Sequence, residues 1–158
     1  MSGYDHTQKG IVHWLVFGTG LFSLWAAYGA ISADSLGWLV LIAVAVFFLL
    51  TPCFAHLRVR DIGDELEIAF GPWRVFKRTV AYHQIADVAI ARGTLIDGWG
   101  IHRHPVRGWI WTIHGFRRVQ LDLHDGSKLR IGTDEPEALE TYLRTRLESS
   151  PRPATRQI

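Results

Sequence analysis

Two stretches of this chain carry no formal charge, and they limit what it can fold into. Ile11 to Ile31 reads IVHWLVFGTGLFSLWAAYGAI, without Lys, Arg, Asp or Glu, and Leu36 to Ala55 reads LGWLVLIAVAVFFLLTPCFA, lacking the same four. A hydrocarbon core needs about 20 such residues per helix. Neither run shows the polar face of a soluble helical hairpin. A cleaved leader fits the first run poorly: it is long for a leader core, only Lys9 precedes it as a basic residue, and the second run follows at once. The runs therefore predict two transmembrane helices, 11–31 and 36–55, joined antiparallel by Ser32–Ser35 and preceded by a tail, 1–10.

The link holds no Lys or Arg, whereas Lys9 precedes the first run and Arg58 and Arg60 follow the second. The positive-inside rule then predicts a multi-pass protein of the bacterial cytoplasmic membrane with both ends in the cytoplasm. Trp14, Tyr28 and Trp38 stand towards the ends of the runs, as interfacial anchors do. His13 is read as a headgroup-layer residue, and the lack of deeper charges argues against a pump or transporter. A net charge of +2 is too small to point to nucleic acid. The single cysteine, Cys53, allows no disulfide within the chain and reads as a small buried hydrophobe.

From His56 the pattern changes to period two. Leu57 and Val59, then Leu66, Ile68 and Phe70, alternate with polar or small residues around the turn DIGDE. Gly71-Pro72-Trp73 reads as the next turn, 75–82 as a third strand, and 85–90 as an irregular fourth. Val119, Leu121 and Leu123 lead into Asp125-Gly126, a strong hairpin signal, and Leu129 and Ile131 follow it. Asp134 reads as an N-cap, Pro136 as a first-turn residue, and Leu139, Tyr142, Leu143 and Leu147 as one face of a closing helix. The expectation is an α+β chain: a two-helix hairpin, a cytoplasmic β-module over 56–148 capped by that helix, and a disordered tail, 149–158.

RTVAYHQIADVAI (78–90), GWGI (98–101) and VQLDLHDGSKLRIGTDEPEAL (119–139) carry a family likeness. In this order they resemble the bacterial pleckstrin-homology-like membrane proteins of largely unknown function, over roughly Leu57 to Leu147. The resemblance implies an antiparallel β-barrel or sandwich capped by a C-terminal helix, acting as a membrane-tethered scaffold or assembly module. Phosphoinositide-binding relatives hold their ligand with basic residues at the first hairpin turn. Here Asp61, Asp64 and Glu65 occupy that turn, and carboxylates repel phosphates.

The densest cluster of chemistry is GWGIHRHPVRGWIWTIHG, Gly98 to Gly115. Three readings compete for it. As a metal site, His102 and His104 share one strand face, and imidazole suits zinc or copper. No second chelating pair completes the set, and structural zinc usually takes four ligands. As a contact surface, Trp99, Arg103, Arg107 and Trp109, helped by Arg117 and Arg118, suit an anionic lipid surface or a partner. As plain β-sheet, Gly98 and Gly100 allow a bulge, Trp111 serves the core and the arginines decorate an edge.

No acid–base pair, nucleophile elbow or glycine-rich phosphate loop is present. The sequence thus points to a binding or assembly module rather than an enzyme, with no cofactor and no nucleic acid. Its expected partner is a membrane-associated protein or an anionic lipid surface. The rival is a small-ligand or lipid sensor using a pocket between the β-module and the closing helix.

Overall fold

The computed structural model describes residues 3–31, 37–94 and 98–149. The link Ser32–Ser35 and the tail beyond Ser149 lie outside them. In chain order the elements are β1 (Asp5–Lys9), α1 (Val12–Ile31), α2 (Gly37–Leu50), a 3-10 turn (Thr51–Phe54), β2 (His56–Asp61), β3 (Glu65–Phe70), β4 (Phe76–Ala81), β5 (Ile85–Arg92), β6 (Gly100–His104), β7 (Gly108–Thr112), β8 (Arg117–Leu123), β9 (Lys128–Gly132) and α3 (Pro136–Ser149).

Alternation in the sequence builds two sheets. One runs β1-β2-β3-β4, and the other runs β5-β8-β9-β7-β6. Leu57, Val59, Leu66, Ile68, Phe70 and Val80 from the first meet Val119, Leu121, Leu129 and Ile131 from the second in a single core. Leu139 and Leu143 of α3 close that core, and α3 packs on β5 and β8. Asp125-Gly126 turns β8 into β9, with Gly126 at φ 80°. The expectation of an antiparallel barrel or sandwich is corrected in one pairing, because β7 and β9 run parallel. The fold is α+β: two sheets and a C-terminal helix.

The segment expected to be an N-terminal tail supplies β1, which pairs antiparallel with β2 from Asp5 opposite Arg60 to Lys9 opposite His56. The Gly10 amide donates to the Ala55 carbonyl at 2.8 Å. Both helices are therefore an excursion between two neighbouring strands. Gly10 sits where the excursion leaves the sheets, and a side chain there would collide with Ile113 and the Phe54 carbonyl.

The expectation of two transmembrane helices, and with it the multi-pass inner-membrane placement, is also corrected. Among the described residues, no helix is long and apolar enough to cross a membrane. The 14 residues of α2 give about 21 Å of axis against a hydrocarbon core of about 30 Å. Its run is cut short because Thr51–Phe54 form the 3-10 turn, burying Thr51 and Cys53. The 20 residues of α1 are diluted by His13, Gly18, Thr19, Gly20, Ser23 and Tyr28. The two helices pack on each other, with Gly20 against the Phe48 ring and Phe17 edge-on to it.

Candidate functional site

Each sheet has one edge beside α3 or β1 and one edge away from them. The second edges are β4 and β6, and each pairs with a single strand among the described residues. Trp109, on β7, lies between them. It stands opposite Arg103 of β6 and Leu129 of β9. Directly opposed residues share a face, so Trp109, Arg103 and the core residue Leu129 point the same way. From the other sheet, Arg78 of β4 stands opposite the core residue Ile68. Its guanidinium carbon lies 6.0 Å from the centre of the Trp109 ring. That contact is a cation–π pair. Burial holds the Arg78 pKa below its ordinary value, and the Asp125 carboxylate works against that shift.

Trp109 thus has the Arg78 guanidinium over its ring and Arg103 as its cross-strand neighbour, near two edges that each have one strand partner among the described residues, and 38 % of its surface remains exposed. Arg103 is exposed and makes no ion pair among the described residues. Lys77 is exposed on the same edge as Arg78. Trp73, Val75 and Phe76 are also exposed at the start of β4. The flank is cationic and aromatic, and it lies on the side of the molecule away from α3.

The other residues expected at a contact surface divide sharply. Trp99 is 53 % exposed between Gly98 and Gly100, which take left-handed φ values of 61° and 101°. Arg107 reaches the Thr94 hydroxyl at 3.5 Å. Arg117 is exposed and is engaged within the chain. It binds the Glu137 carboxylate and donates to the Asp134 carbonyl, fastening the start of α3. Arg118 has no exposed surface. Its guanidinium packs against Gly93 and donates to the Gly98 carbonyl at 3.4 Å.

His102 and His104 lie on the outer face of β6. Among the described residues, no three His, Cys, Asp or Glu side chains come together to hold an ion. The Nδ1 of His104 accepts from the backbone N–H groups of Val106 and Arg107, both at 3.2 Å, and shapes the β6–β7 turn. His102 lies on the outer face, opposite Ile110.

The position of that turn matters. Gly100 pairs with Thr112, next to the Ile113–Gly10 contact at the root of the helices. His104 lies four residues further along, about 13 Å at roughly 3.3 Å per residue. The basic tip therefore lies about 13 Å along the strand from the root of the helices.

Between β1 and α3 runs a groove of about 670 Å³, lined by Tyr4, Asp5, Glu137, Thr141 and Tyr142 among others. It is wide open, and its two carboxylates are committed: Asp5 to Arg58 at 2.5 Å and Glu137 to Arg117. A small-molecule site usually encloses most of its ligand, which this groove does not.

Sequence reasoning found Trp109 and Arg103 but missed Arg78. Alternation along β4 does place residue 78 with Val80 on the inward face, and that was the available signal. Its approach to Trp109 depends on how the two sheets meet. Comparison of the chain with models of known families and with curated proteins gives no match in either case.

Proposed function

We propose that this chain is a binding and assembly module that docks a protein partner at the flank between β4 and β6, without chemistry on what it holds. One observation carries this reading: Trp109, with Arg78 over its ring and Arg103 opposite it, lies near two sheet edges that each have a single strand partner among the described residues. Tryptophan and arginine dominate the energetics of protein interfaces, because both bury large area and Arg adds directed hydrogen bonds. An unpaired edge offers a partner backbone a row of donors and acceptors. The order of GWGI, the Asp125-Gly126 turn and IGTDEPEAL supports kinship with the pleckstrin-homology-like group, in which a scaffold role would be at home.

Site-specific photo-crosslinking in cells tests the proposal. A photoreactive residue at position 109 of the full chain should capture a protein that the same residue at Asp87, on the opposite sheet edge, does not. The purified pair should then bind directly, and Trp109→Ala with Arg103→Glu should weaken binding at least tenfold. Equal capture at both positions, or direct binding unchanged in the double variant, would overturn the reading. A small molecule retained in native mass spectra and displaced by Thr141→Trp would favour the groove instead.

A further inference from the structure

We infer that the partner of the flank is an extended, acidic segment that joins the second sheet as an added strand along β6. The inference rests on the docking reading above and names the chemistry of what docks. Three observations lead to it.

The first is topological. β6 pairs only with β7 among the described residues, in a regular register from Gly100–Thr112 to His104–Gly108. One side of its backbone is occupied and the other is an edge. An incoming extended backbone fits such an edge by main-chain hydrogen bonds, and specificity then comes from alternate side chains.

The second is the side-chain pattern along that edge. Ile101 and Arg103 share the inward face, opposite Trp111 and Trp109. Ile101 is half-buried against the core, and Arg103 is exposed. A strand laid beside β6 would place one side chain next to Ile101 and another, two residues along, next to Arg103. The matching pattern is an apolar residue and an acidic residue separated by one position. A carboxylate next to Arg103 would meet its guanidinium from the side of β6 opposite to Trp109.

The third is charge. Lys77, Arg78 and Arg103 give the flank a positive character, with Asp125 as the opposing carboxylate near Arg78. The outer face of β6 adds His102 and His104 and no carboxylate. Complementary charge favours encounter with an acidic partner and disfavours a basic one. Edge strands that carry cations resist pairing with copies of themselves, so an acidic strand is selected over a second β6.

The test uses the full chain and two labelled octapeptides, Val-Thr-Glu-Thr-Val-Thr-Glu-Thr and its counterpart with both Glu replaced by Lys. Anisotropy should show the acidic peptide binding at least tenfold more tightly. Arg103→Glu should reverse the preference. Amide exchange across Gly100–His104 should slow when the acidic peptide binds. Those three results together support strand addition.

Binding of the acidic peptide without slowed exchange at Gly100–His104 would overturn strand addition while leaving the flank as a protein site. Equal binding of the two peptides would overturn the acidic preference. No peptide binding, with the chain instead held by phosphatidylglycerol vesicles through Arg103, would overturn this inference and the docking reading together. Arg103 is exposed and outside the core, so its charge reversal leaves the fold intact for each comparison.

Discussion

Arg118 and Arg103 sit in the same sheet with opposite surroundings. Arg118 has no accessible surface and fills the space under Gly93 and Gly98, whereas Arg103 projects from an edge. Arg118→Ala should cost about 3 kcal/mol, because a long buried stem leaves a cavity and a carbonyl loses its donor. Arg103→Ala should stay within about 0.5 kcal/mol. Urea unfolding of both variants checks this, and equal losses would contradict it. Arg117 and Arg118, neighbours in β8, looked alike in the sequence. Strand alternation separates their faces, but the burial of Arg118 comes from a distant segment folding over it, which no local period encodes. Asp61 gives a second prediction. Burial alone would raise its pKa, but hydrogen bonds from Tyr142 at 2.6 Å, the Gly63 amide at 2.9 Å and Tyr82 at 2.9 Å outweigh that, and Arg146 adds to them. The net shift is downward. The ion is thus favoured in the folded state, and its stabilisation is complete above the ordinary value of 3.8. It is lost as pH falls through the lower folded value. Asp61→Asn should lose about 2 kcal/mol near neutral pH and flatten the acid limb below pH 3.8. Stability measured against pH checks both, and an unchanged acid limb would refute the assignment. The carboxylate that the sequence set against phosphate binding instead ties the β2–β3 turn to α3.

Among the elements, those with apolar alternation were legible. β2, β3, β8 and β9 each bury alternate residues against the same core, and α3 starts at Pro136 and buries Leu139 and Leu143 as its spacing predicts. β1 was not legible, because Asp5–Lys9 reads DHTQK and holds no apolar residue. Pairing with β2 makes it a strand, and His6 fixes it to the far end of the chain through Asp134 at 2.6 Å and Glu135 at 3.3 Å. Asp134, read only as a helix cap, also holds that strand. The parallel β7–β9 pair was hidden for a similar reason: it joins segments separated by a whole strand. The β1–β2 pairing yields an element-scale prediction. Excising residues 11–50 and joining Gly10 to Thr51 through a few glycines should leave the two sheets and α3 folded, because Gly10 and Ala55 already meet. The 3-10 turn stays in place, so Cys53 and Phe54 keep their packing. Cooperative urea unfolding of the excised chain checks this, and a non-cooperative profile would show that the helices are needed.

At the scale of the whole molecule, two kinds of surface meet at Gly10. The sheets and α3 enclose an apolar core, and their outer surface mixes charged groups with scattered exposed side chains such as Trp73, Trp99 and Trp109. The helices leave Trp14, Leu15, Phe22, Trp25, Leu39 and Phe47 exposed. An apolar surface of that kind marks a place where water is normally excluded by a neighbour. The uncharged runs made this contrast visible in the sequence. Their lengths as helices became clear only when the second run was seen to end in a turn packed against the sheets.

The β1–β2 neighbourhood also has a consequence in time. Chains fold while they are made, and earlier parts generally settle first. β1 breaks that order. Its only strand partner among the described residues is β2, which leaves the ribosome after both helices, and Asp134, which holds His6, comes later still. A strand translated before both helices must therefore wait, unpaired, for segments that do not yet exist.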